Sequence, residues 1–256
     1  MAIATIYAHS SDGFIYNING IGSWDGARDM TTGIVYNTNT NGRGIQVYQD
    51  LGRGSGTYLI TRTFMWFSVG LIPAGSTINS ATLAIKKSTT AAADGGTNII
   101  VKSSAFSGDG TTPLVATDNI NYPGYSAGSS MSGAVTDYSS TFNFNTSVVP
   151  NGTFCTVTLN ANALADITSA AGSGIFNVML VDYTYDYLDT LPATNPTYLS
   201  NTFYFTDQTG TGNDPKLTID YTAAGYSHDV IGVSSGNIVN VNGVGTSDIV
   251  NVIGVA

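Results

Sequence analysis

The sequence predicts an all-β fold: an antiparallel β-sandwich of the jelly-roll kind with one short helix, followed by a C-terminal β-rich repeat tail. Three observations carry this. Charged residues are only 10% of the 256 residues, against about a quarter in ordinary globular domains. All 17 acidic residues are aspartate, and lysine plus arginine total 8, so the charged residues that favour helices are scarce. Thr, Tyr, Val, Ile, Asn and 30 glycines take their place, the composition of short strands joined by tight turns.

The elements follow in chain order. Residues 3–7 are apolar and β-branched, 13–18 alternate, and 33–36 and 44–48 are further short strands. Asn37-Thr38-Asn39-Thr40-Asn41-Gly42 is a turn cluster. Residues 58–69 and 77–87 are the strongest strands, joined by Ile72-Pro73-Ala74-Gly75, where Pro73 and Gly75 suit a turn. Residues 88–97 form a loop, and 98–103 alternate again. The stretch 107–140 is rich in Gly, Ser, Asp and Tyr and weakly periodic, which predicts an extended loop region with variable contacts. Strands return at 141–148 and 153–159. Residues 160–171 are the one helix, with Asn160 or Asn162 as N-cap before Ala163, Leu164, Ala165 and Ile167. Residues 174–187 read as a long strand, and 201–207 and 215–221 close the body. About ten short strands make a sandwich. The first 220 residues lack the fixed repeat that a parallel β-helix requires.

Ala223-Ala224-Gly225 is the predicted hinge, dividing a body at 1–222 from a tail at 223–256. The tail repeats with a period of 11: Val230, Val241 and Val252 coincide, as do Gly232, Gly243 and Gly254, and Val233, Val244 and Val255. Ile238 and Ile249 match in the last two copies. Each copy reads as a short strand and a turn, which cannot bury its apolar side alone and needs neighbours or another chain. These eleven residues are the predicted assembly and anchoring set.

Several function classes are disfavoured. The formal charge of −9 repels phosphate backbones and anionic lipid, so neither nucleic acid nor membrane is an expected partner. Cys155 is the only cysteine, which predicts a buried thiol and neither an intrachain disulfide nor a thiolate cluster. Met1-Ala2-Ile3-Ala4-Thr5 has no basic, apolar leader pattern, and no apolar run reaches the ~20 residues of a membrane span. Synthesis without an export signal, combined with a surface like that of extracellular β proteins, points to a virus particle released by lysis.

Candidate chemistry centres on Val181-Asp182-Tyr183-Thr184-Tyr185-Asp186-Tyr187-Leu188-Asp189. On a strand, Asp182, Thr184 and Asp186 face one way and Tyr183, Tyr185 and Tyr187 the other. The acids suggest a Ca²⁺ site on Asp182 and Asp186. The tyrosines, with Trp24 before the turn Asp25-Gly26, suggest a glycan-stacking face. The bland alternative is a strand with one wet and one packed side. No enzyme is expected: glutamate is missing, His228-Asp229 has no nucleophile elbow near it, and Gly52-Arg53-Gly54-Ser55-Gly56 lacks the Lys-Ser/Thr of a phosphate loop.

Residues 60–85, ITRTFMWFSVGLIPAGSTINSATLAI, resemble the signature of DNRLRE-type jelly-roll domains, which are related to carbohydrate-binding modules. The matching positions are Arg62, Phe67, Ile72-Pro73-Ala74-Gly75 and Ile78, Ser80, Ala81, Leu83. The closing strand Pro215-Lys216-Leu217-Thr218-Ile219-Asp220-Tyr221 and the opening Ser11-Asp12-Gly13-Phe14-Ile15 fit as well. Ser68 stands where the family usually has an aspartate, which puts any metal-binding or arginine-pairing role of that position in question. The tail, most cleanly Ile238-Val239-Asn240-Val241-Asn242-Gly243-Val244, is similar to repeats in structural proteins of tailed bacteriophages. Together these resemblances imply a non-enzymatic virion structural protein: a phage fibre, spike or capsid-decoration subunit. It would meet other virion proteins, form a homo-oligomer with a trimer favoured, and face host surface glycan. A carbohydrate-binding module of a secreted or cell-surface protein is the alternative.

Overall fold

The computed structural model describes residues 1–19, 22–38, 41–50, 56–88, 95–106, 109–193, 196–206 and 209–224, and the backbone of 240–241 and 244–245. Two antiparallel sheets pack face to face as a jelly-roll-like sandwich. The smaller has the order β1 (Ala2–Tyr7), β12 (Lys216–Thr222), β6 (Thr77–Lys86), β9 (Phe154–Thr158). The larger runs β11 (Thr197–Tyr204), β4 (Asn41–Asp50), β5 (Thr57–Ser68), β10 (Ile175–Asp182), β7 (Thr97–Lys102), β8 (Phe142–Asn143), with β2 (Gly13–Asn19) on β5 and β3 (Ile34–Tyr36) on β2.

Strand β5 organises the larger sheet. Its residues 58–61 pair with both β2 and β4, and Thr63 and Phe64 pair with both β2 and β10. A strand has only two edges, so β4 and β10 share the edge opposite β2 and diverge at Arg62. The Thr63 hydroxyl bridges the fork by donating to the Gly44 carbonyl at 2.7 Å.

Alternation splits β5 between two cores. Met65 and Phe67 join Ile6, Leu83, Ile85, Val178, Leu217 and Ile219 between the sheets. Phe64 and Trp66 face outward into a second core with Val101, Phe106, Tyr122, Met131 and Met179. Tyr58 and Ile60 pack with Trp24, Ala27 and Val47. Burial on both faces is what the sequence of this strand predicted. Each large apolar side chain so buried contributes roughly 1.5–3 kcal/mol.

The second core explains the long irregular stretch after β7. It holds a 3₁₀ turn (Ala116–Ile120) and is otherwise loop among the described residues, as expected. It is nevertheless packed: Leu114, Tyr122, Met131 and Val135 are buried in a third layer over the larger sheet.

Helix α2 (Ala161–Ala170) starts where predicted. The Asn160 side chain accepts from the N–H groups of Asn162 and Ala163, and Ala163 and Ile167, one turn apart, face the core. A further helix of about one turn, α1 (Trp24–Arg28), is capped by Ser23 where the sequence suggests only a turn. The expected strand at 141–148 shrinks to Phe142–Asn143, and the strand expected at 201–207 runs instead from Thr197 to Tyr204.

The expected strand 174–187 is also corrected. Ladder pairing stops at Asp182, and Tyr183–Tyr187 form a π-helical turn. Asp182 Oδ1 accepts the Tyr185 N–H at 2.7 Å, a local bond that competes with continued pairing. The alternating faces assigned to residues 182–187 therefore do not exist beyond Asp182.

In the tail, Asn240–Val241 (β13) pairs antiparallel with Val244–Gly245 (β14), as Asn240↔Gly245 and Val241↔Val244. The paired residues flank Asn242-Gly243 in sequence, a dipeptide suited to tight hairpins. Val230, Gly232, Val233, Ile238, Gly243, Ile249, Val252, Gly254 and Val255 lie outside the described residues.

Candidate functional site

The residues singled out around 182–189, together with Trp24, converge on the β5 fork. They form a buried knot centred on Arg62. Its Nε and Nη2 donate to Asp186 Oδ2 and Oδ1, both at 2.7 Å, a fork-to-fork pair. Nη1 donates to the Asn119 carbonyl at 2.8 Å and Nη2 to the Arg28 carbonyl at 2.9 Å. One guanidinium thus ties together β5, α1, the 3₁₀ turn and the π turn. Arg28, also fully buried, donates from Nε to the Asp186 carbonyl, from Nη1 to Asp29 and from Nη2 to the Ser129 carbonyl, each at 2.9 Å.

The electrostatics match. Burial disfavours the Arg62 charge, but the adjacent Asp186 carboxylate outweighs it and raises the Arg62 pKa. Burial likewise raises the Tyr122 phenol, whose ring lies 5.8 Å from the Arg62 guanidinium carbon. Asp182 is pushed up to about 7, mainly by burial.

Each predicted ligand residue has a packing role here. Trp24 is 3% exposed, donates from Nε1 to Asp189 Oδ1 at 3.3 Å and meets Tyr58 edge-on. Tyr183 and Tyr187 stack on each other with centroids 5.3 Å apart. The Tyr187 hydroxyl donates to Asp137, and Tyr185 is half-buried against the Trp24 cluster. These rings do not form one open stacking platform. The acids do not fit calcium either. Both Asp186 oxygens already accept from a cation, and Asp182 caps the π turn. A Ca²⁺ ion takes six to eight oxygen ligands, and among the described residues no group of three or more His, Cys, Asp or Glu is placed to hold a metal.

The serine at 68 is also explained. It lies exposed at the end of β5, about 20 Å along the strand from Arg62 at ~3.3 Å per residue. A carboxylate there would not reach the guanidinium, whose partner is Asp186.

Two open depressions were not foreseen. One, of about 180 Å³, is lined by Phe14, Tyr16, Tyr36 and Gln46. Phe14 and Tyr36 stack at 4.9 Å, and Tyr16 meets Tyr36 edge-on. Pairing sets Tyr16, Thr61, Gln46 and Ser200 in one row across four strands, and the buried Thr61 and Ser200 hydroxyls have no hydrogen-bond partner among the described residues. The other, of about 260 Å³, lies between α2 and the end of β7. There Lys102 Nζ contacts Asp166 Oδ2 at 2.9 Å, and the Tyr138 hydroxyl donates to the same oxygen. Both assemble residues from distant segments, so no local motif announces them. No protein-family model matches the chain, and no curated protein matches it.

Proposed function

We propose that the chain is a non-enzymatic structural protein of a virus particle, a bacteriophage fibre, spike or capsid-decoration subunit whose jelly-roll-like body is displayed and whose repeat tail anchors or oligomerises it. The observation that carries this reading is the tail itself: three copies of a strand–turn unit, the second of which contains the paired residues Asn240–Val241 and Val244–Gly245. Such a unit is too short to bury its own apolar side and takes its partners from neighbours. The body supports the non-enzymatic part, because Asp186, a fully buried carboxylate at the centre of the candidate site, is occupied by Arg62 rather than held ready for proton transfer. The test is to delete residues 223–256. The body is expected to stay folded while the chain loses its oligomeric state and its incorporation into particles. Unchanged oligomerisation and incorporation would overturn the anchoring role.

A carbohydrate-binding reading is favoured by the depression at Phe14, Tyr16, Tyr36 and Gln46, which combines aromatic walls with an amide. A glycan array on the wild type and on a Tyr36→Ala variant tests it. Saturable binding lost in the variant supports this reading, and no binding on any glycan sinks it.

A further inference from the structure

Strand β1 ends the smaller sheet and pairs only with β12 among the described residues. Its register is unbroken from Ala2↔Tyr221 to Tyr7↔Lys216. The strand, AIATIY, has no charge, proline or bulge, the features that usually guard an open edge. Three of the other four sheet-end strands of the sandwich are blunted. β3 has three residues and β8 has two. β11 is bulged, and its Thr202 carbonyl accepts the Ser88 N–H at 2.9 Å. The fourth, β9, is five residues long, and the chain just past it is taken up by a bridge between Leu159 and Ser139. On the outward face of β1, Ile3 is 74% exposed and Tyr7 39%.

We propose that β1 is a homotypic docking edge: two copies of the chain pair their β1 strands antiparallel about a two-fold axis through Thr5. The alternation of the strand selects this register. A one-residue slip would oppose outward to inward residues, as the exposed Ile3 to the buried Ile6 of the second copy, so the two sheets could not continue with the same face inward. Centring on Ala4 would set Tyr7 against Met1, and centring on Ile6 would set Ile3 against His9. Centring on Thr5 sets Ile3 against Tyr7 of the second copy, and Ala4 against Ile6, on both sides of the axis. The first is an aromatic–β-branched cross-strand pair on the exposed face, a kind that stabilises sheets.

The charges agree with the same axis. Ile3 pairs with Asp220 and Tyr7 with Lys216. Across the seam each outward row then reads Lys216, Tyr7, Ile3, Asp220, the last two from the second copy, and no like charges align. The two four-stranded sheets become one of eight strands. Contact through one strand per copy belongs to the small class of interfaces, below about 1,200 Å², so the pairing is reversible and adds to whatever the tail holds together. This inference does not depend on the virion reading.

A cysteine at the axis tests it in the full-length chain, with the wild type as control because Cys155 is buried. Directly opposed residues on antiparallel strands have Cα atoms about 4.5–5.5 Å apart, within disulfide range. Under mild oxidation Thr5→Cys is expected to form covalent dimers at least about tenfold faster than Leu71→Cys, a loop position that is 81% exposed. Ile3→Cys alone should link no faster than Leu71→Cys, while Ile3→Cys mixed with Tyr7→Cys should link preferentially to each other. Adding Ile3→Lys and Tyr7→Lys to Thr5→Cys should bring its rate down to that of Leu71→Cys, with an unchanged melting curve showing that the fold survives. Thr5→Cys linking no faster than Leu71→Cys, or remaining fast with the two lysines present, overturns the proposal.

Discussion

Arg62 and Asp186, 124 positions apart, meet as two parallel 2.7 Å hydrogen bonds with neither side chain exposed to solvent. The pair sits where β4 and β10 part from β5. It converts a divergence of strands into a fixed junction, because the remaining guanidinium protons hold the Asn119 and Arg28 carbonyls in place.

Removing one partner should therefore be costly. Asp186→Asn or Arg62→Met leaves a buried group with its counter-charge missing, a loss of about 3–5 kcal/mol. Urea unfolding should show a lower midpoint, with the loss greater than that for Asp29→Asn, whose side chain is 13% exposed at the rim. The double variant Arg62→Met, Asp186→Leu should recover part of the loss, since replacing both charges removes the desolvation penalty.

Stability should fall as pH rises from about 4 toward neutrality because of Asp182. Its carboxyl is held up to about 7 by burial, against 3.8 for the free group. Between these values the native state keeps a proton that the unfolded chain has lost. The contribution of this group is therefore most favourable below about pH 4, declines from there, and levels off above about pH 7. Each pKa unit corresponds to about 1.4 kcal/mol, so the whole effect is at most a few kcal/mol. Urea midpoints measured from pH 4.5 to 8 should show this decline in the wild type and a flatter profile in Asp182→Asn.

The Asn160 cap is testable alone. Asn160→Ala removes the acceptor for two backbone N–H groups and should cost about 1 kcal/mol. Amide exchange should quicken first at Asn162 and Ala163, with strand β10 unaffected.

Gly124 should tolerate no side chain. It has φ +91°, and a Cβ there would lie 1.9 Å from the Ala134 carbonyl oxygen. Gly124→Ala should destabilise by more than the ~1 kcal/mol typical of a strained backbone site and loosen the third layer, read as faster exchange around Tyr122 with the main core retained.

Much of the fold was legible in the sequence because it rests on local patterns. The doubly apolar run through Phe64, Met65, Trp66 and Phe67 marked a central strand, Pro73 and Gly75 marked the turn after it, and Asn160 marked the start of the helix. The candidate site was less legible. Asp182 to Tyr187 alternate as a strand would, and only the long-range pull of Arg62 on Asp186 and the short-range cap from Asp182 turn them into a π turn. Trp24 is swallowed by a cluster in which Val47, Tyr58 and Ile60 come from strands farther along the chain. The depression beside Gln46 depends on the register of four strands, which no single segment encodes.

Thr222 closes a strand that is laced to a neighbour along both of its sides, to β1 and to β6. A pull on the chain beyond it acts lengthwise on both rows of bonds at once, so they share the load and must give way together instead of peeling one after another. Traction on the C-terminal end of that strand thus loads it in shear and not by unzipping.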